Sequence, residues 1–231
     1  MRGILVIASL ASFVLASAVS PVSAAEPYIL NLSGNNFSIK EAAAIGQELE
    51  VEALLSQVHD SAPIPLPGIV NWSTEYTLRI HGLFLVDPPA NPVKTYVGGT
   101  IELWSQAPPN APWTPTTPIS QIPAFNGGQV PATFVDGEQL LVGSFTQFAT
   151  LFFGGQTGTV TSTINWTGGS RFADLQALGI DSNWHWNGFF NNSAPVPSGY
   201  RKLYGGKLER EVPVSVNPAT WGRIKNLLRA D

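Results

Sequence analysis

Cysteine is absent from this chain of 231 residues, which excludes disulfide bonds, zinc–thiolate sites and cysteine nucleophiles. Charge is scarce as well, because only 12% of the residues are Asp, Glu, Lys or Arg and the formal net charge is −4. This mildly acidic balance argues against nucleic-acid binding, which needs clustered lysine and arginine to neutralise phosphates. Without cross-links, the fold has to be stabilised by packing alone.

The familiar catalytic sequence motifs are also missing. There is no G-x-S-x-G motif, no phosphate-binding G-x-x-x-x-G-K-[S/T] loop, no H-E-x-x-H and no dinucleotide-binding glycine pattern. The three histidines, His59, His81 and His185, lie too far apart in the sequence to show metal-ligand spacing. We therefore predict a protein that is not an enzyme and that carries no cofactor and no metal.

Paired carboxylates need no sequence motif, since glycoside hydrolysis uses two acids that converge in a cleft. Glu75, Glu102 and Asp136 are the acids to consider. Simpler roles exist, because Glu102 lies on the strand face opposite Ile101 and Leu103 and is expected to point to solvent. Asp136 is followed by glycine, a pair that favours a turn. A glycoside hydrolase or lyase stays as the less favoured alternative.

The first 24 residues have the pattern of a secretory signal peptide. Arg2 is the only charged residue before Glu26, residues 4–19 form an apolar run, and small residues precede Ala24. This run is shorter than the ~20 residues of a membrane span, and no later stretch reaches that length. We predict cleavage after Ala24, no transmembrane span after cleavage, and a secreted or cell-surface protein. A retained anchor helix is the alternative.

The rest of the chain has the pattern of many short strands joined by turns, since 19 prolines and 22 glycines are spread along it. Alternation is clearest in residues 158–166, where Val160, Ile164 and Trp166 share one face. Residues 47–58 also alternate, although their composition favours helix as well. Further strands are predicted at 72–86, 94–104, 138–153, 185–190 and 200–216, the last with a hairpin turn at Gly205-Gly206.

Two other segments complete the predicted fold. A proline-rich stretch at 105–133 is expected to be a long surface loop. Residues 171–178 are predicted to form a short internal helix that begins after Ser170, as its cap, and ends at Gly179. Together the elements predict an all-β protein, an antiparallel β-sandwich or jelly roll that forms a single domain over residues 25–216.

The C-terminal residues 217–231 have a helical pattern that begins with an Asn–Pro pair. Trp221, Ile224 and Leu228 share one apolar face of this predicted amphipathic helix. The face could cap an open end of the chain's own sandwich, or it could dock on a partner. The sequence leaves these two alternatives open.

The stretch NWHWNGFF, residues 183–190, raises the question of a binding site. On a strand, Trp184 and Trp186 share one face, and two exposed tryptophans could stack against sugar rings, with Trp113 in the long loop as a third platform. The favoured interpretation is that Trp184 and Trp186 are buried against Trp166 and the predicted helix, because a core without disulfides needs their large apolar area.

From Gly99 onward, the chain carries the phrases GGTIELW, PNAPW, FVDGEQLLVGSF, INWTGGSRFADLQ, NGFF and PVPSGYRKLYGGKLE in this order. This order resembles secreted bacterial proteins linked to flocculation and biofilm matrix, which often carry PEP-CTERM sorting tails. The present chain departs from them because it ends in TWGRIKNLLRAD, without a Pro-Glu-Pro motif and a following membrane helix. The resemblance implies an extracellular matrix role and supplies no catalytic residues.

These observations predict an exported, non-enzymatic protein of the cell surface or extracellular matrix. Its partners would be a second copy of the chain, another protein or a surface polysaccharide, and not nucleic acid. A carbohydrate-binding module that uses exposed tryptophans is the alternative. The predicted organisation is a signal peptide at 1–24, a β-sandwich at 25–216 and a C-terminal helix at 217–231.

Overall fold

The computed structural model describes residues 27–56, 66, 68–71, 73–126, 130–154 and 156–210. The predicted signal peptide and the predicted C-terminal helix lie outside the described residues. Among the described residues, eight antiparallel strands close into one barrel, in which strands adjacent in the sequence pair and β1 also pairs with β8. The strands are β1 (Tyr28–Lys40), β2 (Glu48–Leu54), β3 (Glu75–Leu85), β4 (Val93–Gln106), β5 (Glu138–Phe153), β6 (Thr157–Gly168), β7 (Trp184–Asn191) and β8 (Leu203–Arg210).

The predicted β-sandwich or jelly roll is wrong, because the strands form a single closed sheet. Closure depends on β1, which the sequence did not indicate and which pairs with β2 on one side and with β8 on the other. Without β1, the remaining strands would form an open meander, with β2 and β8 at its edges. A closed barrel leaves no sheet edge with unpaired backbone groups.

The pattern of β1 explains why the sequence did not reveal it. In its second half the polar residues Asn36 and Ser38 pair with inward-facing positions, while Phe37 and Ile39 face outward. All four are buried, since other parts of the chain cover the outside of this strand. The usual assignment of apolar residues to the inner face therefore fails here.

The predicted strands are confirmed over the described residues, and the 138–153 prediction matches β5 in both bounds. Residues 211–216 of the last predicted strand lie outside the described residues. The predicted hairpin turn at Gly205-Gly206 is wrong, because β8 runs through both glycines and pairs there with β1 and β7. The inward-facing residues of the barrel are mostly aliphatic and aromatic. One buried example from each strand is Leu30, Val51, Ile80, Leu103, Phe148, Ile164, Trp186 and Leu208.

Side chains fill the interior, as expected for a barrel of eight strands. Gly188 and Gly206 face each other across β7 and β8, beside the indole of Trp186. A Cβ atom on Gly188 would lie 2.4 Å from Trp186 Nε1, and one on Gly206 would lie 2.4 Å from the Gly188 Cα atom. This glycine pair therefore leaves the space that the indole occupies.

One end of the barrel, named here the helical end, is closed by α1 (Phe172–Leu178) in the β6–β7 connection. This confirms the predicted internal helix, and Gly179 ends it in the left-handed conformation at φ 68°. The predicted cap is wrong, since Arg171 precedes the helix and the Ser170 hydroxyl donates to Glu138 instead. No helix among the described residues is long and apolar enough to cross a membrane.

A second layer covers the outside of β1 and β2, and we name it the outer layer. It consists of the described parts of the β4–β5 connection (107–137) and the β7–β8 connection (192–202), which start from opposite ends of the barrel. The two segments meet where the Phe125 N–H donates to the Ser198 carbonyl over 2.8 Å. The predicted long surface loop is thus confirmed over its described residues, with two 3-10 helical turns at Ile119–Gln121 and Ala132–Phe134.

Candidate functional site

Trp184 and Trp186 are inside the barrel and are 0% and 1% exposed, respectively. The Trp184 Nε1–H donates to the Ile180 carbonyl, and its ring meets the Trp166 ring edge-on with centroids 6.0 Å apart. The interpretation of both residues as core is therefore confirmed. Neither ring has a solvent-facing surface for sugar stacking, so the proposed sugar platform on this strand is wrong.

Trp113 is buried in the outer layer at 2% exposure, between Phe37 of β1 and Phe134. Its Nε1–H donates to the Asn35 carbonyl over 2.9 Å, so the indole fastens the β4–β5 connection to β1. A stacking platform needs an open ring face, and this ring is enclosed. The partner-docking candidates Trp221, Ile224 and Leu228 lie outside the described residues, and their role stays a prediction.

A groove of about 470 Å³ opens beside Trp113 at the helical end, between the ends of β2 and β3 and the outer layer. We name it the Trp113 groove. Its apolar lining consists of Gly34 of β1, Leu54, Leu55, Tyr76, Pro109, Trp113 and Pro115. Its polar lining consists of Ser56, Ser73, Thr74, Glu75, Thr114 and Thr116. A volume of this size suits a small ligand or a short segment of a partner chain.

The three candidate acids do not converge in this groove. Glu75 lines it, and its carboxylate accepts the backbone N–H groups of Asn110 and Ala111 over 3.1–3.3 Å. Asp136 accepts the Asn110 side-chain amide over 2.9 Å and is not part of the lining. Glu102 lies elsewhere on the barrel. Glu75 and Asp136 therefore both bind Asn110 and hold the outer layer in place, and Glu75 is the candidate acid that lines the groove.

Glu102 belongs to a charged cluster on the outer face of β2, β3 and β4, which we name the Arg79 cluster. Its members are Lys40, Glu48, Glu50, Glu52, Arg79, His81 and Glu102. Arg79 is central, because it donates from Nε and Nη2 to Glu50 Oε1 over 3.0 Å and 2.7 Å. The expectation that Glu102 points to solvent holds only in part, since it faces outward but lies 3.8 Å from Arg79 Nη1.

Glu52 differs from the other acids of the Arg79 cluster. It is 0% exposed, and neither carboxylate oxygen has a hydrogen-bond partner among the described residues. Burial raises the pKa of Glu52 well above its ordinary value, and the nearby Glu50 carboxylate adds to this, while Arg79 opposes it. Glu52 therefore keeps its proton to a higher pH than an ordinary glutamate, while the neighbouring Glu50 is paired with Lys40 and Arg79.

Two other acids of the Arg79 cluster, Glu48 and Glu102, have lowered pKa values. Burial opposes the ionisation of Glu48, but hydrogen bonds from Lys40 and from the Gly82 N–H bring the pKa of Glu48 below its ordinary value. The neighbouring His81 and then Arg79 lower the pKa of Glu102 against the effect of burial. Within the described part of the chain, no group of three His, Asp or Glu side chains is placed to hold a metal ion.

Glu75 and Trp113 could be singled out from the sequence, but the groove that they line could not. Its other walls come from the end of β2, where helix and strand patterns competed, and from threonines in the proline-rich connection. The repeated Glu at alternate positions of β2 was a detectable sign of the Arg79 cluster, since alternate residues share one face of a strand. Comparison with protein-family models, with curated proteins and with solved structures finds no match for this chain.

Proposed function

We propose that this chain is an exported binding protein of the cell surface or extracellular matrix, without catalytic activity, that contacts a protein or polysaccharide partner through the Trp113 groove. The observation that carries this proposal is the contrast between a barrel filled by side chains and an open groove outside it. A filled interior leaves no room for a ligand within the middle of the barrel, so binding falls to the outer surface.

The chemistry of the Trp113 groove favours a short segment of a larger partner. Its floor is apolar, which rewards burial of an aliphatic or aromatic group. Its rim carries hydroxyl groups from Ser73, Thr114 and Thr116, which are all exposed and can exchange hydrogen bonds with peptide groups or sugar hydroxyls. Glu75 is the one carboxylate in the lining, and its contacts with Asn110 and Ala111 support a structural role.

Filling the groove tests this proposal. Thr116→Trp places a bulky side chain at the exposed rim, where it blocks the opening without entering the barrel. Labelled protein without residues 1–24 is mixed with intact cells of the producing organism, and the cell-bound fraction is measured after pelleting. We expect the wild type to bind and Thr116→Trp to fall to background, because the partner segment can no longer enter.

The matched control is Thr146→Trp, which changes another exposed threonine on the outer face of β5, away from the groove. Equal binding by the wild type and both variants would show that the groove is not the contact site. No binding by the wild type, either to cells or to matrix shed into the medium, would overturn the function itself. Treating the cells with protease or with periodate separates a protein partner from a polysaccharide partner.

A further inference from the structure

The barrel end opposite α1 contains a second cluster of polar groups, which we name the Glu41 mouth. Lys94 and Phe152 project inward from β4 and β5, Tyr204 projects inward from β8, and Glu41 and Lys202 flank the opening from the adjoining connections. The side chains of Glu41 and Lys202 are 16% and 18% exposed, so solvent reaches this end of the interior. None of these residues belongs to the Trp113 groove, which lies at the helical end.

Both oxygens of the Glu41 carboxylate have partners within the mouth. Its Oε1 accepts hydrogen bonds from the Ser38 hydroxyl over 2.6 Å and from the Tyr204 hydroxyl over 3.2 Å. Its Oε2 pairs with the Lys202 ammonium over 2.5 Å. Both oxygens are therefore used by groups other than Lys94, and one negative charge neutralises one of the two ammonium groups.

Lys94 is held by an aromatic ring rather than by a carboxylate. Its Nζ lies 4.9 Å from the centre of the Phe152 ring, and Lys202 Nζ lies 5.4 Å from the same centre. Within the described residues, Lys94 forms no ion pair. Partial burial, and then the Lys202 charge, lower the pKa of Lys94, while Glu41 opposes this. The mouth thus holds two ammonium groups and one carboxylate in a partly desolvated place.

We propose that the Glu41 mouth binds the carboxylate group of an organic anion between the ammonium groups of Lys94 and Lys202. The ligand carboxylate supplies a second negative charge, which neutralises the second ammonium group of the mouth. Hydrogen bonds to charged donors in a partly buried site are stronger than those at an open surface. Phe152 beside the two lysines offers an apolar contact for the body of such a ligand. The carboxylate can belong to a free small acid or to a uronic acid within a polysaccharide.

Calorimetric titration at low ionic strength tests this site with two carboxylate probes and their neutral counterparts. Benzoate and benzyl alcohol represent the free acid, and a galacturonate trisaccharide and galactose represent the sugar acid. The wild type is expected to bind one of the carboxylates and neither neutral compound. Lys94→Met keeps the aliphatic stem against Phe152 and removes the charge, so affinity for that carboxylate should fall about tenfold or more.

Lys207→Met is the matched control, because Lys207 lies on the outer face of β8 and pairs with Glu209 over 2.7 Å. It should leave carboxylate binding unchanged. Lys94→Met should also melt no lower than the wild type, because the change removes a repulsion with Lys202. An unchanged melting temperature would show that a loss of binding is not caused by a loss of fold. Thr116→Trp should bind the carboxylate normally, because this site is independent of the groove.

Two results would overturn the proposal. One is the absence of binding by the wild type with both carboxylates at about 10 mM, which would show that Lys94 and Lys202 form no usable site. The other is equal affinity in the wild type and Lys94→Met, which would place the bound anion elsewhere. Binding of benzoate but not the trisaccharide identifies a free acid as the ligand, and the reverse result identifies a polysaccharide.

Discussion

The two faces of β2 are both buried, yet they are buried in opposite ways. Leu49, Val51 and Ala53 face the barrel interior, where they pack against other apolar side chains. Glu50 and Glu52 face the outside and are 1% and 0% exposed, with Glu50 paired to Lys40 and Arg79 and Glu52 close to Tyr200 of the outer layer. Burial of apolar groups stabilises the fold at any pH, whereas burial of carboxylates depends on their partners and on protonation.

Complete burial therefore stabilises the two faces of β2 in different ways. The interior contributes to stability through buried apolar area and close packing, so the removal of atoms from it is destabilising. The Arg79 cluster contributes only while each charge keeps its partner, since a buried ion without one is strongly unfavourable. The two faces should therefore respond differently to truncation and to pH, and three measurements test this difference.

The largest effect is expected from Trp186→Ala in the barrel interior. The indole is fully buried and contacts Phe148 and Tyr204, so its removal leaves a cavity in a closed sheet. We expect a loss of about 3–5 kcal/mol in the free energy of unfolding, of the same size at mildly acid and neutral pH. Denaturant titration with Phe189→Ala as the control checks this, because Phe189 lies on the outer face of the same strand and is 48% exposed. A similar loss in both variants would contradict the assignment of Trp186 to the core.

A smaller but pH-dependent effect is expected from Arg79→Met. The change removes the cation shared by Glu50, Glu52 and Glu102, and leaves Glu50 with Lys40 alone. We expect a loss of about 3 kcal/mol near neutral pH, measured by denaturant titration. The loss should shrink in acid, as pH falls through the lowered pKa of Glu102 and this partner of Arg79 takes up a proton. A loss that is equal at both pH values would contradict an electrostatic origin.

The smallest effect, and the most specific, concerns Glu52. Because the pKa of Glu52 is raised in the folded state, the folded protein keeps a proton that the unfolded chain releases above pH 4.5, the ordinary pKa of a glutamate. The wild type therefore loses stability as pH rises from that value to the folded-state pKa. Glu52→Gln cannot ionise, so its stability relative to the wild type should increase as pH rises, as thermal melts across this range would record.

Glu48→Gln provides the control of opposite sign for this measurement. The pKa of Glu48 is lowered in the folded state, so the contribution of Glu48 to stability is present above pH 4.5 and is lost as pH falls. Its replacement should therefore destabilise the protein near neutral pH, and the difference should vanish in acid. If the two variants shifted with pH in the same direction, Glu52 would not be the proton-holding member of the cluster.

Most strand positions could be predicted from the sequence, because alternation survives wherever the outside of the barrel faces solvent. On β6, Val160, Ile164 and Trp166 face inward, as expected, with threonines between them facing outward. The barrel itself could not be predicted, because its closing strand β1 is covered on both faces. Outward-facing Phe37 packs beneath Trp113 and Tyr200. An apolar side chain suits this outer position only because the folded outer layer covers it.

The candidate sites were less predictable than the strands. The Trp113 groove joins residues from β1, β2, β3 and the β4–β5 connection, and no local pattern links them. The Glu41 mouth likewise depends on the register that brings Lys94 opposite Thr150 on β5, while Lys202 approaches from the end of a connection. The tryptophans were conspicuous in the sequence, but their chemistry suits the core as well as a binding face, and burial decided between these roles.

The pairing of β1 with β8 joins Tyr28 to Arg210, whereas every other strand pairs with the one that follows it in the chain. For a polypeptide that emerges from the ribosome or a translocation channel with its N-terminus first, seven strands are available before the eighth arrives. During that interval the free sides of β1 and β7 are templates for joining another molecule. Synthesis of the final strand is thus the step that converts an association-prone intermediate into a self-contained one.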